Sequence, residues 1–193
     1  MSEKVESGES QERPRRERRK ARRKRRLGAL GQVMKRVSAG AENAAELMRL
    51  GRLGTPYVAS FDVVREERVF RLRHYKGSAP LDPRLCPILL VPPLMVTSEV
   101  YDIAPDLSEV QMLLRAGIDV WVTDFGAPER EAGGMERTLD DHVRAVSTCI
   151  DEIVQRTKKD VHLAGYSQGG MFAYQVAAWR TAESKGGIRS LVT

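Results

Sequence analysis

Cysteine is scarce in this sequence, with only Cys86 and Cys149 among 193 residues. So few thiols exclude a disulfide framework and a zinc site built from thiolates, and they favour a reducing compartment. We therefore predict a cytoplasmic protein. Nothing else in the sequence supplies a metal site, and we expect no cofactor.

Long hydrophobic runs are missing as well. The longest nearly uninterrupted apolar run, 87–96, is about half of the roughly 20 residues that a membrane-spanning helix needs. The sequence thus predicts no transmembrane segment. The overall composition, 41% hydrophobic and 30% charged, is close to that of globular proteins, so part of the chain should fold.

Positive charge is unevenly distributed. Residues 1–26 hold nine Arg, three Lys and five Glu, a net of +7, which leaves a net of −1 for the other 167 residues of a chain with total charge +6. We predict a disordered basic tail over 1–26, because it has almost no apolar side chains to bury. Residues 13–26 have the charge to bind nucleic acid or an anionic lipid surface. A solvated tail without a dedicated partner is the alternative.

The remaining sequence divides into two parts. Apolar residues spaced by three and four predict an amphipathic helical segment over 27–56. Residues 57–193 form the predicted folded domain, which begins with a hairpin of Phe61 to Val64 and Val69 to Tyr75. Strands then alternate with helices: strands at 88–91, 118–123, 161–164 and 188–192, and helices at 107–116 (with Asp106 as N-cap), 140–157 and 169–182. This alternation predicts an α/β fold with a mostly parallel sheet covered on both faces.

One motif carries chemistry. Gly165, Ser167 and Gly169 form G-x-S-x-G, with an apolar strand before it and a helix that begins with Gly169 and Gly170 after it. A nucleophile on a sharp strand-to-helix turn needs neighbours without side chains, so this context predicts a nucleophile elbow with Ser167 as the nucleophile.

Acyl transfer also needs donors for the oxyanion. The backbone N–H of Gln168, which follows the nucleophile, is one candidate. The second should lie in the loop 92–95, where two prolines cannot donate and Leu94 or Met95 remains. Alternatively, the prolines only end a strand.

Five motifs taken in order resemble the polyhydroxyalkanoate synthase branch of the α/β-hydrolase superfamily. They are Leu89-Leu90-Val91-Pro92-Pro93-Leu94, Tyr101-Asp102-Ile103-Ala104-Pro105-Asp106, Asp124-Phe125-Gly126, Thr138-Leu139-Asp140-Asp141-His142 and Gly165-Tyr166-Ser167-Gln168-Gly169-Gly170. The resemblance implies a domain that acts on acyl or hydroxyacyl thioesters, typically of coenzyme A, or on esters.

Two departures from that family shape the expected function. The synthases typically carry cysteine where this chain has Ser167, which favours ester or thioester hydrolysis over polymer synthesis. The superfamily's acid and histidine follow the nucleophile, whereas the 26 residues after Ser167 include one acid, Glu183, and no histidine. We expect a partial α/β-hydrolase domain, ending after about the sixth strand and inactive alone. A C-terminal continuation or a partner chain would supply Asp and His. The alternative is a non-catalytic module that the basic tail brings to an anionic or lipid surface.

Three other polar residues are weaker candidates. Asp124 ends a strand at the same sheet edge as the elbow, so it either lines the pocket or has a structural role. His142, near a helix start, is interpreted as a cap or surface residue. His162 lies in the strand before the elbow and should point away from the tip of the turn.

Overall fold

The computed structural model describes residues 59–94 and 96–193. The predicted tail over 1–26, the helical segment over 27–56 and Met95 lie outside the described residues. The strands are β1 Phe61–Glu66, β2 Arg71–Tyr75, β3 Ile88–Val91, β4 Val120–Asp124, β5 Val161–Gly165 and β6 Ile188–Val192. The helices are α1 Glu109–Arg115, α2 Leu139–Thr157 and α3 Gln168–Ala182.

The strands form one mixed sheet in the order β1-β2-β4-β3-β5-β6. Strand β3 lies parallel to both β4 and β5, and β6 is parallel to β5. The β1–β2 hairpin joins the edge of this parallel core in antiparallel pairing. Because β3 and β5 are central, their carboxyl ends meet where the predicted oxyanion loop and the elbow begin.

Helices cover both faces of the sheet because its central strands are apolar on both sides. Leu89, Val91 and Trp121 pack with the buried face of α2 and α3. Leu90, Val120 and Val122 point the opposite way and pack with α1. The period of two in strands places neighbours on opposite faces, and the prediction of an α/β fold with a mostly parallel sheet covered on both faces is confirmed.

Several element boundaries differ from the sequence prediction, and the starts of α1 and β4 differ by two residues. Helix α1 begins at Glu109 with Ser108 as N-cap, since the Ser108 hydroxyl accepts from the Gln111 N–H at 3.0 Å. The prediction of Asp106 as N-cap and Leu107 as the first helical residue is wrong, because the Leu107 N–H closes a turn on Ala104. Strand β4 begins at Val120 rather than at residue 118.

Helix α2 begins with a capping box formed by Thr138 and Asp141. Thr138 accepts from the Asp141 N–H, and the Asp141 carboxylate accepts from the Thr138 N–H at 2.8 Å. This reciprocal pair satisfies two N–H groups that the first turn leaves without intrahelical partners. Among the residues that the structure describes, no helix combines the length and the apolar character needed to cross a bilayer.

Candidate active site

Ser167 lies on the turn between β5 and α3. Its backbone has φ 55° and ψ −117°. This left-handed conformation is energetically unfavourable for any residue other than glycine. Such strain persists only where the surroundings enforce it, and Ser167 is exposed at the tip of the turn. The geometry is that of a nucleophile elbow.

The motif glycines allow the backbones to approach closely. A Cβ at Gly169 would overlap the carbonyl oxygen of Val91, the last residue of β3. A Cβ at Gly165 would overlap the Gly169 backbone across the turn. Gly170, one residue further into the first turn of α3, is buried and has more room. The spacing of the motif thus follows from contact between the elbow and the end of β3.

A tyrosine hydroxyl ties these two segments together. The hydroxyl of Tyr101 donates to the Val91 carbonyl at 2.8 Å and accepts from the Tyr166 N–H at 3.1 Å. The Tyr101 side chain is buried, and burial raises its pKa. The neutral hydroxyl therefore acts as both donor and acceptor. Sequence reasoning quoted Tyr101 only as part of a motif and missed this contact.

Two of the three predicted oxyanion residues, Leu94 and Gln168, are in direct contact. The Leu94 N–H donates to Oε1 of the Gln168 side chain at 3.1 Å. Gln168 is the first residue of α3, where backbone N–H groups lack intrahelical partners. Met95, the other candidate in this loop, lies outside the described residues. The structure thus brings Leu94, Gln168 and Ser167 to one end of the sheet.

A cavity of about 260 Å³ adjoins these residues. Its lining residues are contributed by the β3 loop and by the starts of α2 and α3: Leu94, Arg137, Thr138, Leu139, His142, Gln168, Met171 and Phe172. We call it the His142 cavity. Half of the lining residues are apolar, and the other half carry polar groups.

His142 lies in this wall, and its interpretation as a cap or surface residue is wrong. The residue is only 3% exposed, and its ring stacks on Phe172 with 5.4 Å between centroids. Nδ1 lies 2.7 Å from the Thr138 carbonyl oxygen. Burial holds the pKa of His142 below its ordinary value. The missed signal was helical spacing, since positions 142, 146, 149 and 153 share the buried face of α2.

The other two histidines have their own partners. His74 stacks on Trp121 at 3.9 Å, and its Nε2 lies 2.7 Å from Asp119. His162 bonds through Nδ1 to the Ser190 hydroxyl at 2.7 Å. Within the described residues, none of the three histidines hydrogen-bonds to Ser167.

Asp124 is held in an ion pair at the end of β4. Its carboxylate is buried and accepts from Nη2 of Arg73 at 2.5 Å and from the Gly126 N–H at 3.0 Å. These contacts fix the turn after β4, and Asp124 is not one of the residues that line the His142 cavity.

Curated proteins with similar sequences show the family to which the chain belongs. No protein-family model matches the chain. The Poly(3-hydroxyalkanoate) polymerase subunit PhaC of Haloferax mediterranei is 34% identical over 148 residues, which cover 76% of this chain and 29% of that protein. The same subunit of Thiocystis violacea is 30% identical, over 70% of this chain and 37% of that protein. The chain is polyhydroxyalkanoate synthase-like, within the α/β-hydrolase superfamily.

This result confirms the resemblance carried by the five motifs. The polyhydroxyalkanoate synthase-like chain spans about a third of the length of these two relatives. Among solved structures, the mature lipase BlEst2 of Bacillus licheniformis matches 65% of this chain and 46% of its own, with a TM-score of 0.47 and 20% identity.

Proposed function

We propose that this chain carries the nucleophile and the oxyanion donors for acyl transfer or hydrolysis of acyl or hydroxyacyl esters and thioesters. The observation that carries the proposal is the strained, exposed Ser167 on a turn pressed against the end of β3. Similarity to polyhydroxyalkanoate polymerase subunits supports this general chemistry. Coenzyme A thioesters are the substrate class that we expect to bind.

In the proposed reaction, Oγ of Ser167 attacks the acyl carbon. The new C–O bond gives a tetrahedral intermediate, whose collapse breaks the bond to the leaving thiol or alcohol, and the serine proton passes through a base to that leaving group. The N–H groups of Gln168 and Leu94 stabilise the negative charge that develops on the carbonyl oxygen. Because the Leu94 N–H is bonded to Oε1 of Gln168, the substrate oxygen replaces this amide oxygen when it binds.

We propose that the general base of this reaction is not one of the described residues. No histidine among the described residues hydrogen-bonds to Ser167, and each of the three bonds to another residue. A histidine and an acid from a C-terminal continuation or a partner chain would complete the site. A second candidate, a non-catalytic module recruited by the basic tail, has only the charge of residues 1–26 in its favour.

The Ser167→Cys variant tests the proposal without the missing base. A thiol is intrinsically more nucleophilic than an alcohol and reacts partly as thiolate near neutral pH. We expect this variant to accept one acyl group from butyryl-CoA, measured by intact mass and mapped to position 167. Acylation no faster than that of a surface cysteine would contradict the proposal.

The matched control is Ser184→Cys, because Ser184 is exposed and has the same φ of 55° but lies outside the elbow. Both variants are made with Cys86→Ser, so that the partly exposed native thiol does not contribute. Cys149 can stay, since complete burial raises the pKa of its thiol to about 12.

A further inference from the structure

The hydroxyl of Tyr101 lies where the end of β3 meets the elbow. It donates to the Val91 carbonyl at 2.8 Å and accepts from the Tyr166 N–H at 3.1 Å. The Tyr166 N–H also donates directly to the Val91 carbonyl, at 3.2 Å. These three groups therefore form a closed triangle of hydrogen bonds.

The triangle joins two strands just beyond the point where their pairing ends. The parallel pairing of β3 with β5 runs as far as Val91 and Gly165. Past it, one segment continues to Leu94 and the other turns sharply at Ser167. Tyr101 thus bonds both segments, one residue before the proposed nucleophile and three residues before a proposed oxyanion donor.

Tyr101 is itself held in place by burial and by its neighbours. It ends the short 3-10 helix Ser98–Tyr101, is 5% exposed and packs in the core on the α1 side of the sheet. The next residue, Asp102, is also buried and accepts from the Ala59 N–H and the Ser108 hydroxyl, each at 2.5 Å. These bonds fix the backbone that carries Tyr101 independently of the elbow.

The distance between Ser167 and the Leu94 N–H depends on how β3 and the elbow are joined, because the two groups come from these separate segments. Acyl transfer requires the nucleophile and the oxyanion donors to lie at set distances around one carbonyl group. A misplacement of about 1 Å can slow a reaction about 100-fold. A group that bridges the joint can therefore control the rate without touching the substrate.

We propose that Tyr101 is a positioning residue of the acyl-transfer site. Its hydroxyl sets the distance between the Ser167 side chain and the Leu94 N–H. It does so through the two backbones to which it is bonded, and it contributes no group to the reaction. This inference rests on the proposed function of Ser167.

Tyr101→Phe tests this role, because it removes the hydroxyl and keeps the ring. The variant should remain folded, since the Val91 carbonyl and the Tyr166 N–H stay bonded to each other. The rate of acylation is measured at increasing concentrations of butyryl-CoA in the Ser167→Cys chain. We expect Tyr101→Phe to lower the maximal rate about 10-fold and to change the half-saturating concentration less than about twofold. An unchanged maximal rate would overturn the inference.

The matched control is Tyr75→Phe, which removes the same group from a residue that is 2% exposed in the same core region. The hydroxyl of Tyr75 interacts with Arg73 of its own strand rather than with the elbow. This variant should leave the maximal rate unchanged when circular dichroism shows both variants to be folded. Equal slowing by the two variants, or failure of Tyr101→Phe to fold, would assign the effect to core packing and overturn the inference.

Amide hydrogen exchange gives a readout that does not require acyl transfer. Tyr101→Phe in the otherwise unsubstituted chain should speed exchange of the Tyr166 and Leu94 N–H groups. Exchange at Leu163, inside the β3–β5 pairing, should stay the same. Uniform acceleration at all three positions, or none, would overturn the inference. If Ser167→Cys accepts no acyl group at all, the proposed function fails, and exchange still decides whether Tyr101 holds the elbow.

Discussion

Helices α2 and α3 pack side by side on one face of the sheet but present different surfaces to solvent. The outer face of α2 is charged, with Arg144 paired to Asp140 and Arg156 to Glu152, each at 2.6 Å. On α3, Met171 and Tyr174 are 59% and 65% exposed. Strand β6, beside the elbow strand, leaves Val192 61% exposed.

The surface of α2 is thus charged, whereas that of α3 and β6 is partly apolar. Helix α2 buries its apolar face and turns charged side chains to solvent, as is usual for an amphipathic helix. The flank formed by α3 and β6, which we call the α3–β6 flank, exposes apolar side chains next to the strained Ser167 turn. Apolar side chains grouped on a surface are typical of binding sites.

Filling the close contact at Gly169 should have the largest effect. Gly169→Ala places a methyl group against the Val91 carbonyl, so β3 and the elbow must separate. We expect the free energy of unfolding to fall by about 3 kcal/mol, the upper part of the range for overpacking. Urea denaturation measures it.

Gly186→Ala is the matched control, because a Cβ there meets nothing within 4 Å. It should change stability by no more than about 1 kcal/mol. Equal effects of the two alanines would show that the elbow is not pressed against β3.

Sequence reasoning predicted the strand, turn and helix around Ser167 because the information for them is local. G-x-S-x-G, the strand before it and the helix after it all lie within about 20 residues, whereas the spatial order of the strands comes from the structure alone. The burial of His142 was missed although its helical spacing with residues 146, 149 and 153 indicates it, because the adjacent Asp140 and Asp141 suggested a polar surface. Its stacking on Phe172 could not be predicted, because that residue comes from another helix.

Acid should destabilise the α2–α3 contact through His142. Its pKa in the folded chain lies below the ordinary value of 6.5, so the unfolded chain takes up the proton first as pH falls. Stability is complete above about pH 6.5 and is lost below it, by at most about 1.4 kcal/mol per pH unit.

Urea midpoints between pH 7.5 and 5 measure this loss. His142→Phe should flatten the pH dependence, and His162→Phe, which retains His142, should not. An unchanged slope in His142→Phe would contradict the assignment.

A charge on the α3–β6 flank should change association more than stability. Strand β6 is an edge strand with apolar residues, which favours edge-to-edge pairing. We expect the chain to bind a hydrophobic dye or to self-associate, and Val192→Lys to reduce both while altering the unfolding free energy by less than about 0.5 kcal/mol.

Val63→Lys on β1, the opposite edge, is the control, since Val63 is 45% exposed but distant in strand order from the elbow. If the chain is monodisperse and binds no dye, the proposed difference between the surface of α2 and the α3–β6 flank is wrong.

Deleting residues 1–26 should leave the stability of the domain unchanged. These residues carry a net charge of +7, and binding through them should weaken steeply with salt. We expect the deletion to abolish salt-sensitive binding to anionic vesicles or RNA, measured by co-sedimentation and by fluorescence anisotropy. Equal binding by both chains would refute a role for the tail.

Turnover by the unsubstituted chain tests most directly whether it holds the nucleophile without its base. Hydrolysis of butyryl-CoA and of short p-nitrophenyl esters should barely exceed the rate in buffer, and Ser167→Ala should make little difference. Rapid hydrolysis that disappears in Ser167→Ala would contradict the account, because a base would then act on Ser167 from within these 193 residues. Its further loss in His142→Phe would identify that base.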